Sequence, residues 1–237
     1  MSGARCTVGL LTWNAGEDGP ACAASLLAQD EAPLAIDWLD NGSTDGTPDR
    51  LRHDEPALPR PERGEANIGF CAGHNRMLAR CRTPYYLALN QDVVLAPEYV
   101  ARLCDWLDEE PDLALVSGLI LKSKDRGEVI YSAGLVFPRV CFPFELRMGR
   151  PAREEDRRRR IVPGVTGAAM MLRIETCRAA SIPPEEIFPS DFFAYHEEVD
   201  LAMRLARMGG ARCGVEGAAV ARHRGQGSGG LSQRRIR

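Results

Sequence analysis

The sequence predicts an α/β fold in which a mostly parallel central sheet is flanked by helices. Short, continuously apolar segments alternate with helical patterns through the first half of the 237-residue chain. Such apolar runs are typical of parallel strands that are buried on both faces. Carboxylate-bearing segments follow several of these runs. In a parallel sheet, ligand-binding groups collect in the crevice beyond the carboxyl ends of the strands.

The first half reads as consecutive βαβ units. We predict strands at 8–11, 34–39, 85–89 and 113–121. Pro20, Pro48 and Pro97 mark helix starts, because the first helical turn accommodates proline, and Thr47 is a suitable N-cap before Pro48. A further helix is expected at 69–80.

The second half is less regular. Hairpin-like pieces are expected at 129–131 and 135–137, and a strand of small residues at 165–172. The arginine-rich segment 150–160 is interpreted as a solvated loop. An amphipathic helix is predicted at 197–208, with Leu201, Leu205 and Met208 facing inward.

We expect a single domain over 1–237, because no segment reads as a linker. A first half of about 1–122 and a second half of about 123–225 would be followed by a flexible tail at 226–237.

Composition excludes several classes of protein. The net charge of −3 gives no electrostatic case for binding nucleic acid. None of the eight cysteines forms a C-x-x-C pair, so buried free thiols are favoured over a zinc site. No signal peptide or transmembrane segment is recognised, and a cytoplasmic location is expected, with peripheral membrane association left open.

Asp40 ends the second predicted strand and begins a turn that continues to Gly46. Its carboxylate is placed to accept the ring N–H of a uracil or thymine. The alternative is an Asx-type turn, in which Asp40 only satisfies nearby backbone amides. The turn alone favours this second interpretation.

Asn90, Gln91 and Asp92 follow the strand at 85–89. Asp92 is placed to ligate a hard divalent cation, together with diphosphate oxygens of a nucleotide. Asn90 is placed to bond a ribose hydroxyl. Alternatively, Asp92 only precedes and caps the helix that begins near Pro97.

Glu197, Glu198 and Asp200 fall in the first turn of the last predicted helix, where the macrodipole favours acids. Asp200 is also spaced to pair with Arg204. The same helix end would keep Glu198 ionised, as a general base should be. His223 alone is more often a structural histidine, although imidazole joins carboxylate around manganese-like ions.

Taken in order, these segments resemble the family 2 glycosyltransferases, which have a GT-A fold, and most closely their rhamnosyltransferase-like members. The matching stretches are 8–14, 39–46, 67–75, 89–93, 167–173 and 192–201 with Arg204, and His223 with Gly225 and Ser228. The resemblance covers nearly the whole chain. The glycines of 67–75 do not have dinucleotide-binding spacing, and close backbone packing explains them equally well.

The resemblance implies a nucleotide-sugar-binding first half and an acceptor-binding, catalytic second half. Nucleotide and donor contacts would come from Thr12, Trp13, Asn14, Asp40, Asn67, Gly69, Asn75, Asn90 and Gln91. Asp92 and His223 would hold Mg²⁺ or Mn²⁺, and Glu198 would be the general base. Gly167, Ala168, Tyr195 and Glu197 would shape the acceptor site.

Two departures from the family pattern stand at neighbouring positions. Asn90 replaces the first acid of the family's D-x-D motif, which removes a charge from the expected metal site. Gln91 stands where the rhamnosyltransferase-like subgroup usually has proline, so the donor sugar is left open.

The expected activity is an inverting, metal-dependent transfer of sugar from a nucleotide-diphosphate sugar, dTDP-rhamnose or a UDP-sugar being favoured. The acceptor is a hydroxyl on a glycan, a lipid-linked sugar or a small natural product, and a homodimer is left open. One alternative is a sugar-1-phosphate nucleotidyltransferase. That class would have a basic glycine-rich loop directly after the first strand, but residues 12–19 contain no lysine or arginine. The other is a catalytically weak nucleotide-sugar-binding protein, which Asn90 favours.

Overall fold

The computed structural model describes residues 3–124, 127–138, 142–183 and 185–224. The predicted tail at 226–237 therefore lies outside the described residues.

The first half alternates strands and helices as predicted. Its strands are β1 (Cys6–Thr12), β2 (Ala35–Asp40), β3 (Glu62–Arg63), β4 (Tyr85–Asn90), β5 (Val93–Leu95) and β6 (Leu113–Lys124). Its helices are α1 (Asp18–Leu27), α2 (Thr47–Asp54), α3 (Gly69–Leu78) and α4 (Tyr99–Glu109). The two-residue β3 and the short β5 were not predicted, because segments of two or three residues carry no periodic signal.

The second half has shorter strands and two helices. The strands are β7 (Gly127–Ser132), β8 (Leu135–Val136), β9 (Phe144–Glu145), β10 (Arg160–Val162), β11 (Ala169–Arg173) and β12 (Arg212–His223). The helices are α5 (Ile174–Ala179) and α6 (Glu197–Met208), and the latter has the predicted bounds.

The main sheet has the strand order β10-β12-β6-β11-β4-β1-β2-β3, with β5 paired to β12 and β7 to β6. Strands β1 to β4 of the first half pair only in parallel with one another. Strand β11 enters between β4 and β6 and is antiparallel to both. This insertion brings the second half of the chain against the edge where the first-half strands end.

Two apolar layers cover the two faces of the sheet. Alternate residues of β1, such as Val8 and Leu10, belong to one layer, and Tyr86 of β4 belongs to the other. Gly9 makes room for Tyr86, because a Cβ at that position would lie 1.8 Å from the tyrosine hydroxyl. The seven cysteines of the described segments are free and buried, as predicted.

Three expectations about local structure were wrong in part. Gly46, at φ +78°, is the N-cap of α2, and the Thr47 hydroxyl instead accepts the Ala15 amide at 2.9 Å. Met208 is exposed, because the packed face of α6 ends at Leu205. Segment 150–160 is not simply a solvated loop, because it forms a 3-10 turn at Glu154–Arg157 and buries Asp156.

No helix of the described segments is long and apolar enough to cross a membrane.

Candidate active site

The carboxyl ends of β1, β2 and β4 lie side by side and bring together the first group of predicted site residues. Thr12 is directly paired with Asp40, and Leu11 with Asn90. The backbone amide of Asn90 also donates to the carbonyl of Ala168 at 3.0 Å, which joins the start of β11 to this edge. The structure thus assembles Thr12, Asp40 and Asn90 at one sheet edge, as the strand pattern predicted, and also brings Ala168 to this edge.

The Asp40 carboxylate is buried and already has local partners. Its Oδ1 accepts the hydroxyls of Thr12 at 3.0 Å and Ser43 at 2.6 Å, and its Oδ2 accepts the Ser43 amide at 3.0 Å. Thr12 in turn accepts the indole N–H of Trp38 at 3.0 Å. The Asx-type turn is therefore present, and one lone pair of Oδ2 remains for a ligand.

Gln91 joins the ends of β4 and β1 in a way that the sequence did not predict. Its Oε1 accepts the Trp13 amide at 2.7 Å, and its Nε2 donates to the Trp13 carbonyl at 2.9 Å. This two-point contact fixes the Trp13 peptide while leaving the indole 48% exposed. Next to it, Asn14 at φ +47° accepts the Thr44 amide at 2.9 Å. The side chain of Gln91 therefore holds the loop that follows β1.

The side chains of Asn67 and Asn75, which flank Gly69, form hydrogen bonds to other loops of the protein. Asn67 accepts from the Asn41 side chain at 2.8 Å and from the Gly69 amide at 2.9 Å. The Asn75 amide donates to the Phe188 carbonyl at 2.6 Å and accepts the Phe188 amide at 3.1 Å. Both ends of the Asn75 amide are therefore engaged by the backbone of Phe188.

Gly69 contacts the loop that leads into α6. Its φ is +86°, and a Cβ there would lie 2.4 Å from the carbonyl oxygen of Phe193. The same oxygen accepts the Cys71 amide at 3.2 Å. The close packing that was weighed as an alternative explanation for this glycine is therefore what the structure shows.

The loop before α6 contains three non-glycine residues with positive φ, namely Phe193, Tyr195 and His196. At Phe193 the chain makes a tight γ-turn, with the Ala194 amide donating to the Phe192 carbonyl at 2.6 Å. Such conformations cost of order 1–3 kcal/mol each and cluster at functional sites. The turn leaves Phe192, Phe193 and Tyr195 substantially exposed beside the start of α6.

Glu197 and Glu198 begin α6 next to Gly167. A Cβ at Gly167 would lie 3.3 Å from Glu197 Oε1 and 3.9 Å from Glu198 Oε2, so the bare glycine backbone faces both acids. Burial raises the pKa of Glu197 to about 7, and the neighbouring Glu198 adds to the shift. Burial also raises the pKa of Glu198, against its backbone hydrogen bonds. The helix end was expected to keep Glu198 ionised, and burial opposes that effect.

Glu145 is a third carboxylate of this cluster, and the sequence analysis missed it. Burial raises its pKa to about 7, while the hydroxyls of Ser132 and Thr166 lower it and Glu198 raises it further. Its Oε2 is buried and has no hydrogen-bond partner in the part of the chain that the structure describes. Glu145 lies on β9, a two-residue strand in a region that reads only as broken hairpins, so no sequence pattern marks it.

Asp92 and His223 come together from the two halves of the chain. The His223 Nε2 lies 3.2 Å from Asp92 Oδ2, and the imidazole stacks on Tyr131 with 4.3 Å between ring centroids. Asp92 Oδ1 and His223 Nδ1 are buried and have no hydrogen-bond partner among the described residues. The i,i+4 pair of Asp200 and Arg204, by contrast, is purely structural, at 2.8 Å.

The Asp92–His223 pair fits a divalent metal, because a carboxylate oxygen and an imidazole nitrogen are suitable ligands and unpartnered polar atoms remain there. No group of three or more potential protein ligands occurs within the described ranges. A metal at this place would therefore need further oxygens from a bound substrate.

Tyr131 connects the two parts of the site. Burial raises its pKa to about 12, and the charges of Glu145, Asp92 and Glu198 contribute to the shift in that order. The carboxylate cluster and the Asp92–His223 pair thus act on one phenol, and we treat them as one candidate active site.

The raised pKa of Glu197 predicts a pH-dependent contribution to stability. A glutamate in the unfolded chain titrates near about 4.3, so below that pH Glu197 is protonated in both states. Between that pH and about 7, Glu197 is ionised in the unfolded chain but protonated in the folded state, so the free energy of unfolding falls as the pH rises and levels off above about 7. Glu197→Gln should remove this loss and make the protein more stable than wild type above pH 7, by up to about 3 kcal/mol.

Urea unfolding of both proteins from about pH 4.5 to about pH 8 would measure this difference in the free energy of unfolding. The exposed Glu175, changed to glutamine, is the matched control and should follow the wild-type curve. If the free energy of unfolding changed with pH in the same way in wild type and Glu197→Gln, the raised pKa of Glu197 would be contradicted.

Comparison with known proteins gives a consistent picture. The family model described as "Glycosyl transferase family 2" matches residues 7–178. The chain is 25% identical over 243 aligned residues to "N-acetylglucosaminyl-diphospho-decaprenol L-rhamnosyltransferase" of Mycobacterium tuberculosis, covering 92% of this chain and 76% of that protein.

Solved structures resemble the whole described fold. A mannosyltransferase from Pyrobaculum calidifontis, in complex with GDP-Man and Mn²⁺, superposes with a TM-score of 0.67 at 16% identity and covers 95% of this chain. GalNAc-T7, with UDP, GalNAc and Mn²⁺, superposes with a TM-score of 0.70 at 10% identity and covers 93%. This chain spans 58% and 44% of the lengths of those two structures.

Proposed function

Because this chain belongs to glycosyltransferase family 2, we propose that it transfers a sugar from a nucleotide-diphosphate sugar to an acceptor hydroxyl with inversion at the anomeric carbon. The fold is the GT-A fold of its structural neighbours. One observation carries the proposal. The His223 imidazole stacks on Tyr131 and lies 3.2 Å from Asp92, and the charge of the half-buried Glu198 raises the pKa of the same tyrosine, which supports a base and a diphosphate-binding group within one site.

Glu198 is the general base. It removes the proton of the acceptor hydroxyl as that oxygen attacks the anomeric carbon, and the bond from this carbon to the diphosphate oxygen breaks on the opposite side. The nucleoside diphosphate leaves with the bonding electrons. A raised pKa suits this role, because a base works best when its pKa is near the operating pH.

Asp92 and His223 are the protein ligands for Mg²⁺ or Mn²⁺ in this proposal. A bound divalent cation would neutralise charge that develops on the leaving diphosphate. The 3.2 Å separation of Asp92 Oδ2 and His223 Nε2, and an Asp92 Oδ1 that has no partner among the described residues, support these two ligands. Asn90 replaces a further acid, and within the described segments its side-chain amide makes no hydrogen bond, which suits contact with a ribose hydroxyl.

The donor site lies along the ends of β1, β2 and β4. We assign it to Thr12, Trp13, Asn14, Asp40, Asn67, Gly69, Asn90 and Gln91, and we omit Asn75 because its amide is engaged by Phe188. The mycobacterial relative is named as an L-rhamnosyltransferase, which favours dTDP-rhamnose, with a UDP-sugar as the second choice. Gly167, Ala168, Tyr195 and Glu197 line the acceptor side.

A panel of nucleotide sugars would test this function. UDP-, dTDP- and GDP-sugars, each with and without Mn²⁺, should differ in how far they raise the melting temperature, because a ligand that binds only the folded state stabilises it. We expect dTDP-rhamnose to give the largest metal-dependent shift, and donor hydrolysis to follow for the same sugar. Nucleotide binding without hydrolysis or transfer of any sugar would instead favour a binding protein, the alternative that Asn90 suggests.

A further inference from the structure

The loop that connects β1 to α1 is held by side chains that follow both neighbours of β1 in the sheet. The backbone amides of residues 14–16 donate to side-chain oxygens of the segment 43–47, which follows β2, at 2.9 to 3.3 Å. The Trp13 amide instead donates to Gln91, which follows β4 on the other side of β1. Gln91 is therefore the anchor of this loop on the β4 side.

Gln91 restrains the direction of the Trp13 side chain as well as the position of its backbone. Its Oε1 accepts the Trp13 amide and its Nε2 donates to the Trp13 carbonyl, at 2.7 and 2.9 Å, and this two-point contact is the Gln91 clamp. The two groups belong to the two peptide units that flank the Trp13 Cα. Since each peptide unit is planar, a contact to both limits the φ and ψ of Trp13 together. The Cα–Cβ bond, from which the indole extends, therefore has a fixed direction.

The Trp13 indole is available to a ligand. It is 48% exposed, whereas Trp38 and Trp106, the other tryptophans of the chain, are almost fully buried. It stacks on no aromatic ring and no guanidinium group of the described residues. Trp13 follows β1 at the sheet edge where Asp40 and Asn90 also lie. Flat aromatic faces of this kind stack on nucleobases, largely irrespective of which base is presented.

We infer that Gln91 is a positioning residue of the donor site that acts through Trp13, by keeping the indole where the base of a nucleotide stacks on it. The inference rests on the proposed function, which gives the chain a nucleotide donor. Gln91 does not contact the nucleotide, and both ends of its amide are instead engaged by the Trp13 backbone. Without the clamp, Trp13 would take up other directions for part of the time. The apparent affinity for the nucleotide falls in proportion to the fraction that remains competent.

Fluorescence quenching by acrylamide tests the clamp without any nucleotide. Because Trp13 is the exposed tryptophan, it provides most of the emission that acrylamide reaches. Gln91→Leu removes both hydrogen bonds at similar size, and water can replace them at the surface, so the variant should fold. Its emission should be quenched more strongly than that of wild type, by at most about twofold, the ratio of full exposure to the 48% of the clamped indole. Equal quenching of the two proteins would contradict the clamp.

Gln29→Leu is the matched control. The Gln29 side-chain amide also joins two segments, donating to the Ala96 carbonyl at 2.9 Å and accepting the Val100 amide at 3.0 Å. Gln29 lies beyond the end of α1 that is opposite to Trp13. This variant should lose some stability but keep wild-type quenching. An equal rise in quenching in Gln29→Leu would reveal a general loosening of the protein and would overturn the assignment.

Calorimetric titration in the presence of Mn²⁺ tests the effect on the donor site, with dTDP or UDP, whichever binds the wild-type chain more tightly. Gln91→Leu should weaken the nucleotide about three- to tenfold, as expected if the indole keeps its direction for about a third to a tenth of the time. Trp13→Ala should weaken it at least as much, because it removes the stacking face altogether. Adding Gln91→Leu to Trp13→Ala should then cause no further loss, since two residues that act through one contact give non-additive effects.

Additive losses in the double variant would mean that Gln91 contacts the nucleotide or acts through the neighbouring Asp92, and would overturn the inference. In the kinetics of transfer, Gln91→Leu should raise the donor KM by the same factor as it weakens binding and leave kcat nearly unchanged. A wild-type chain that bound neither dTDP nor UDP would contradict the proposed function, and the inference with it. Unchanged quenching beside normal nucleotide binding would contradict the inference alone.

Discussion

Replacing Glu198 with glutamine should lower kcat by about 10²–10⁴-fold, the usual contribution of a general base. Glutamine has nearly the same shape but cannot accept the proton of the acceptor hydroxyl. Affinity for the nucleotide should stay close to that of wild type, because Glu198 lies with Glu197 and Glu145 rather than at the ends of β1 and β2. Initial rates at saturating donor and acceptor would measure the first effect, and calorimetric titration with nucleotide the second.

Glu175→Gln is the control for this experiment, since Glu175 is an exposed acid on α5. Its turnover should equal that of wild type. A normal kcat in Glu198→Gln would remove Glu198 from the role of base. The same substitution at Glu145, a half-buried acid of the same cluster, would then be the next to measure.

Asp92→Ala should abolish most of the gain in nucleotide affinity that Mn²⁺ provides. Even residues that only orient a metal ligand lower the affinity for the metal by about 10–100-fold when they are removed. Loss of a ligand should therefore weaken metal-dependent binding by at least about tenfold. Only one imidazole, that of His223, would remain at this place, and no described group of three protein ligands could compensate. Titration with UDP or dTDP, with and without Mn²⁺, would measure the difference.

Asp30→Ala, which removes an exposed acid after α1, is the control and should leave the effect of Mn²⁺ unchanged. If Asp92→Ala bound nucleotide with normal metal dependence, Asp92 would not be a ligand. The thermal unfolding midpoint of each variant would show whether lost binding reflects lost folding.

Strong local patterns allowed much of the fold to be predicted. The apolar runs of β1, β2 and β4 identify strands buried on both faces, and α6 was predicted with its observed bounds, Glu197–Met208. The grouping of Thr12, Asp40 and Asn90 also followed, because the carboxyl ends of parallel strands share one edge of a sheet. Membership of the family was predicted from the order of the motifs and is confirmed by the family match.

The contacts that complete the site depend on pairing between distant segments, which no local pattern encodes. Glu145 reaches the cluster only because β9 pairs with β8 and packs near Thr166. Gln91 was recognised as unusual, but its hydrogen bonds to the Trp13 peptide span 78 positions of the chain. The hydrogen bond of Asn75 to Phe188 likewise spans 113 positions of the chain. The individual roles of the site residues stay predictions.

The γ-turn at Phe193 has a consequence for the entropy of the reaction. Because Gly69 and the Cys71 amide hold this turn against α3, the loop is ordered when the chain folds, before any substrate arrives. The conformational freedom lost in ordering it is therefore not lost again on binding. Glu198 begins its helix from an already fixed position, and alignment of this kind is one of the larger contributions that a protein can make to a rate.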